Sequence, residues 1–187
     1  MIAVRTLVAA ALLLAPLPAA AQSVEERLSQ VEDELAIQRV ITEYAVRLDA
    51  LDLEGYLELF ADNGIWQVGQ TQRRGRDEIR AMLEGLYGEA EIEPFGYDQF
   101  RMVGNFQIEV DGDTATARSR HIEFVRGERG NPSAILSGLY VDEFVREDGA
   151  WKIAHRTDYP IMPTAAEWRE QMAERQAAAA AEPDIGE

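Results

Sequence analysis

The chain contains no cysteine, which removes disulfides, thiol nucleophiles and cysteine-ligated zinc or iron–sulfur sites from consideration. Histidine is nearly as scarce, at 2 residues, so a three-histidine metal site is excluded too. Basic residues are outnumbered: 18 Lys and Arg stand against 34 Asp and Glu, a formal net charge of -16. A surface that acidic repels phosphate backbones and anionic headgroups, which argues against a nucleic-acid partner. There is no Gly-rich phosphate loop, no Ser-centred elbow and no His-Glu metal helix, so neither a cofactor nor a metal is implied. No apolar run has the length of a membrane span. The run from Thr6 to Leu14 instead follows a basic start at Arg5 and leads to Ala19-Ala20-Ala21. That order reads as a secretory signal peptide cleaved after Ala21, which makes the protein periplasmic or secreted, with no membrane contact after cleavage.

What is present suits one domain: 187 residues, 47% of them hydrophobic. Ser23 followed by Glu26 is a capping-box signature. Val24, Leu28, Val31 and Leu35 then continue an apolar stripe into Ile37, Val40, Ile41 and Tyr44, predicting a helix to about Leu51. Its first half reads as a short coiled-coil arm, a solvated extension or a helix partly docked on its own domain. Asp52 caps a second short helix, Leu53 to Phe60, and Ile65 to Val68 form a short strand. A third helix covers Glu78 to Tyr87. From Gln99 the period changes to two, predicting four strands: Phe100 to Val110, Thr114 to Val125, Ile135 to Arg146 and Ala150 to Asp158. Asp111-Gly112-Asp113 and Glu147-Asp148-Gly149 are hairpin turns. The expected class is α+β, a curved antiparallel sheet wrapped by N-terminal helices around a conical pocket. The chain divides into a signal peptide (1–21), a helical extension (22–35), the main domain (36–162) and a C-terminal helix with a tail (163–187).

The strings Ala36-Ile37-Gln38, Leu48-Asp49-Ala50 and Leu59-Phe60-Ala61-Asp62-Asn63-Gly64-Ile65-Trp66 resemble the opening of the SnoaL-like branch of the nuclear transport factor 2-like superfamily. So do Gly75-Arg76-Asp77-Glu78-Ile79, the stretch Asn105 to Ala115, Gly138-Leu139-Tyr140-Val141-Asp142 and the segment Asp148 to Arg156. The resemblance covers roughly residues 33–160 and implies the cone fold. It leaves the activity open, because this fold hosts dehydratases, isomerases, dehydrochlorinases, epoxide hydrolases, cyclases and non-catalytic binders.

The resemblance also singles out Asp49, which stands where scytalone dehydratase and a dehydrochlorinase carry an aspartate that orients a pocket histidine. The matching histidine position holds Arg101, which stays protonated and cannot be a general base. Arg101 is therefore expected to pair with Asp49 or to anchor a ligand's carbonyl or carboxylate. His121 is the substitute base, because alternation puts Ala115, Ala117, Ser119, His121 and Glu123 on the pocket side. The competing reading is a rim histidine in a surface charge network with Arg120 and Glu143. Tyr44, Trp66, Glu123 and Tyr140 complete the candidate binding set, with Phe100 lining the cone and Met102 as core. His155 is expected to share the core face with Trp151 and Ile153, and Asp142 to bridge a neighbour. Two functions follow: a cofactor-free lyase or isomerase moving a proton on a small, apolar, oxygenated or aromatic molecule, with Asp49 and His121 as acid–base pair, or a periplasmic ligand-binding or assembly protein that has lost the dyad. Epoxide hydrolysis, using Arg101, Asp49 and Glu123 or Asp142, is a third. The outer sheet face, carrying Thr116, Arg118, Arg120 and Phe124, and the Val24–Leu35 stripe both predict a homodimer.

Overall fold

A computed structural model describes residues 22–87, 99–127 and 129–181. The signal-peptide assignment for residues 1–21 and the last residues of the tail lie outside the described residues. Helix α1, Val24–Asp49, starts on the predicted capping box: Ser23 Oγ accepts from the Glu26 amide, and Glu26 Oε2 accepts from the Ser23 amide. It stops at Asp49, two residues earlier than expected, because Leu51 turns to a left-handed φ of 53° and Asp52 caps α2, Leu53–Glu58, through the Gly55 amide. α2 is short because Phe60 already belongs to β1, Phe60–Val68. A polar strand that alternation did not reveal follows, β2, Thr71–Arg74, and then α3, Gly75–Tyr87.

The four long strands are β3, Gln99–Asp111, β4, Thr114–Arg126, β5, Pro132–Glu147, and β6, Ala150–Met162. Gly112, Asp148 and Gly149 take the positive φ that tight hairpins need. A last helix, α4, spans Ala165–Ala181. The sheet order is β2-β1-β6-β5-β4-β3, with β1 parallel to β6 and every other pair antiparallel. Extra residues interrupt the register in β3 between Gly104 and Gln107, in β5 beside Phe124, and in β6 beside Phe144 and Gly138. Each such bulge adds twist, so the long strands curve and the sheet stays unclosed. α1 and α3 cover the concave face, where Ile37, Ile41, Phe60, Ile79, Phe144 and Ile153 are fully or almost fully buried. Each such side chain contributes about 1.5–3 kcal/mol when removed from water.

Two expected core residues sit elsewhere. Phe100 and Met102 are 40% and 60% exposed, because residues on odd positions of the first half of β3, Arg101 and Val103, take the inner face. Phe100 stacks instead on Phe124 of the outer face, with ring centroids 5.0 Å apart. His155 also leaves the core: the extra residue in β6 between Ile153 and His155 reverses the parity there. Its Nε2 meets Gln67 Oε1 at 2.9 Å, and Arg156 takes the buried side.

Candidate functional site

Polar side chains line the inner face of β3 to β6, and cross-strand register brings them together in pairs. Arg101 on β3 stands directly opposite Glu123 on β4, and its Nη2 lies 3.1 Å from Glu123 Oε1. Its Nη1 lies 2.5 Å from Asp49 Oδ1, while its own backbone amide donates to Asp49 Oδ2 at 2.7 Å. The end of α1 is thereby fastened to the edge strand by a charge-assisted pair. The expected Asp49–Arg101 pairing is present. Arg101 as a ligand anchor is modified, since both of its terminal nitrogens meet protein carboxylates.

Asp49 and His121 do not meet, so the expected acid–base pair is corrected. His121 is 2% exposed and on the inner face as alternation indicated, which rules out a rim histidine in a surface charge network with Arg120 and Glu143. Its Nε2 lies 3.0 Å from Asp158 Oδ1 on β6, two strands away. Glu123, expected beside it, belongs to Arg101. The reach across β5 is possible because the residue opposite His121 is Gly138. A Cβ at Gly138 would collide with His121 Nε2 and come within 2.9 Å of both His121 Cε1 and the Tyr159 carbonyl. The imidazole also stacks on Tyr140, with centroids 4.1 Å apart and planes 8° from parallel. An ionised carboxylate only accepts hydrogen bonds, so Asp158 fixes the Nε2–H tautomer and leaves the Nδ1 lone pair as the acceptor. That Nδ1 is buried and has no hydrogen-bond partner.

Beneath this pair, Asp142 and Arg156 are opposite each other on β5 and β6 and wholly buried. Arg156 Nε and Nη2 each donate to Asp142 at 2.7 Å, and the guanidinium carbon lies 3.9 Å from the Tyr44 ring centroid and 4.3 Å from that of Tyr140. Burial works to lower the Arg156 pKa, but the charge and hydrogen bonds of Asp142 outweigh it and raise the value further. Trp66 Nε1 donates to Tyr44 Oη at 3.1 Å. Burial, the largest influence, pushes the phenols of Tyr44, Tyr56 and Tyr140 above their usual range, and those of Tyr56 and Tyr140 well above it. These hydroxyls therefore stay protonated and are not bases; Tyr44 Oη accepts from Trp66, and the buried Tyr56 Oη has no hydrogen-bond partner. Asp158 acts electrostatically to raise the Tyr140 value further, and Arg156 and Arg101 act to lower it.

Asp158 and Arg156 were the functional candidates that alternation did not reach, because the β6 bulge hides their shared face. Among the described residues no group of three or more His, Asp or Glu is arranged to hold a metal ion. An apolar cavity of about 160 Å³ lies apart from these pairs, between the end of α1, α2 and α3, against Leu48, Leu51, Tyr56 and Leu83.

A curved, unclosed sheet with helices packed into its concavity and a charged inner face defines the class, a nuclear transport factor 2-like protein of cystatin-like fold. Within it, residues 29–157 match the model of the SnoaL-like domain, and the chain belongs to that family. An uncharacterised protein of Mycobacterium tuberculosis is 28% identical over 136 residues, covering 70% of this chain and 87% of its own. The crystal structure of a nuclear transport factor 2-like protein from Novosphingobium aromaticivorans is 26% identical, covers 76% of this chain and 91% of its own, and superposes with a TM-score of 0.66. A protein of the same organism, put forward as a scytalone dehydratase, is 25% identical, covers 72% of this chain and 87% of its own, and has a TM-score of 0.59.

Proposed function

We propose that the protein is an exported, cofactor-free lyase or isomerase that moves a proton on a small, apolar, oxygenated molecule, with His121 as the base. The observation that carries this reading is the His121–Asp158 contact at 3.0 Å with the opposite ring nitrogen unpartnered. A carboxylate on one nitrogen orients the imidazole, selects the tautomer and stabilises the imidazolium formed when the other nitrogen takes a proton. Tyr140, whose ring stacks on the same imidazole and whose hydroxyl stays protonated, would steady a developing oxyanion. Asp49 moves from partner of the base to positioning residue, acting through Arg101. The scytalone dehydratase assignment of one relative supports a proton-transfer reaction of this kind. Pairing of two copies through the outer sheet face, where Phe100, Met102, Ile122 and Tyr159 are exposed, belongs to the same reading.

The alternative, a periplasmic ligand-binding or assembly protein without turnover, is favoured by the commitment of Asp49 to Arg101. One experiment separates the two. Neutral hydroxylated and keto aromatic compounds that raise the melting temperature are incubated with the protein in D2O, and carbon-bound hydrogens are followed by proton NMR. Exchange or elimination that falls about 10²–10⁴-fold in His121→Gln and in Asp158→Asn, with ligand affinity retained, is expected. Compounds that bind and never exchange, or turnover indifferent to His121→Gln, would sink the catalytic reading. Export is checked by the intact mass of periplasmic protein, expected to begin at Gln22.

A further inference from the structure

The first three turns of α1 do not belong to the domain's own core. Every residue from Gln22 to Glu32 is exposed, and the domain does not fully bury a side chain of α1 until Ile37. Along this arm Val24, Leu28, Val31 and Leu35 are 72%, 56%, 51% and 58% exposed. Val24 and Val31, like Leu28 and Leu35, stand seven residues apart, the heptad spacing at which an apolar seam stays on one side of a supercoiling helix. An ordinary surface helix would put such residues against its own sheet. Here the side that meets the sheet is marked by Asp33, whose Oδ1 accepts from Arg146 at 2.6 Å and from Trp151 Nε1 at 3.0 Å. The stripe therefore has no partner among the described residues of its own chain. Val31 and Leu35 also border a groove of about 180 Å³ against Phe106 and Ile108 of the edge strand β3, so the apolar surface continues where the arm joins the domain.

The flanking charges say what covers it. With Leu28 and Leu35 at a and Val24 and Val31 at d, Arg27 and Glu34 occupy g, and Glu32 and Arg39 occupy e. In a parallel pair each g residue meets the following e residue of the other helix. Arg27 then faces Glu32 of the second copy, and Glu34 faces Arg39, so all four symmetric contacts are attractive. Arg27, Glu32 and Arg39 form no ion pair within the described residues. An antiparallel pair centred between Leu28 and Val31 would set Arg27 against Glu34 twice but also Glu25, likewise at e, against Glu32 twice, and that repulsion offsets the attraction. We infer that the α1 arm, Val24 to Leu35, associates in parallel with the same arm of a second copy of this chain. This contact is separate from the outer sheet face and stands whatever the inner face does.

The test uses the purified protein in sedimentation velocity, because the arm is exposed, with circular dichroism checking that each variant keeps the domain folded. The wild type at tens of micromolar is expected to have the mass of two chains. Leu28→Glu, a substitution between good helix formers, should weaken self-association at least tenfold. The charge-swapped Arg27→Glu/Glu32→Arg protein should retain it, whereas Arg27→Glu alone should weaken it. The chain has no cysteine, so Val24→Cys reports on one introduced thiol: parallel arms place the two copies within disulfide reach and a covalent dimer forms under mild oxidation. A monomeric wild type, or a dimer unmoved by Leu28→Glu because it pairs through the sheet face, overturns the proposal. So does Val24→Cys that fails to cross-link in a dimer. A monomer that co-sediments with neutral phosphatidylcholine vesicles in a Leu28-dependent manner would assign the stripe to a lipid surface and overturn it equally.

Discussion

Asparagine at position 142 would keep the volume of the buried carboxylate and remove its charge. Arg156 would then be left fully buried with no compensating anion, and its Nη1 already lacks a hydrogen-bond partner. Breaking a buried ion pair from one side costs about 3–5 kcal/mol, because the surviving charge can neither rehydrate nor deprotonate. The two tyrosine rings against the guanidinium, at 3.9 and 4.3 Å, recover part of that cost, so the lower half of the range is expected. For a chain of this size each kcal/mol moves the melting temperature by roughly 2–4 °C, giving a fall of about 6–16 °C. Urea unfolding followed by tryptophan fluorescence measures the free energy, and circular dichroism the temperature. The double variant Asp142→Leu/Arg156→Met removes both charges and should return to within about 2 kcal/mol of the wild type. An Asp142→Asn protein within 1 kcal/mol of wild type, or a double variant below the single one, would refute the argument that charge isolation dominates here.

Three further outcomes are expected. Gly138→Ala forces His121 or the Tyr159 backbone to shift and should cost about 1–3 kcal/mol while displacing the imidazole, seen as a moved His121 resonance in NMR; an unmoved resonance would count against the crowding argument. Asp49→Ala frees the Arg101 amide and should speed its hydrogen exchange, with a stability loss of about 2–4 kcal/mol in urea, against which an unchanged exchange rate would speak. The third concerns acid. Burial raises the Asp33 pKa, but its hydrogen bonds from Arg146 and Trp151 outweigh that and hold it below the usual carboxylate range. The folded state thus binds fewer protons there. Its stabilisation is complete above the unfolded pKa and is lost as pH falls through the lower folded one. Acid melts should therefore separate wild type from Asp33→Asn at neutral pH and converge below the folded pKa; parallel curves at every pH would defeat the assignment.

The local features of this chain were written into its sequence. A serine and glutamate three apart start α1, aspartate–glycine pairs close the hairpins, and alternation along β4 places His121 inward, since caps, turns and unbroken pleats depend only on near neighbours. β2 escaped because four polar residues at a sheet edge carry no apolar period. The parallel pairing of β1 with β6 escaped because its partners lie some ninety residues apart and nothing in either strand names the other. The inner face of β6 was decided by the fold alone. An extra residue beside Ile153 reverses the alternation, sending His155 out and Arg156 and Asp158 in. His121 and Asp158 meet only because β5 runs between them and carries a glycine where they cross. Side-chain parity can be read along an uninterrupted strand; bulges and strand order are set by how the whole sheet closes over the helices.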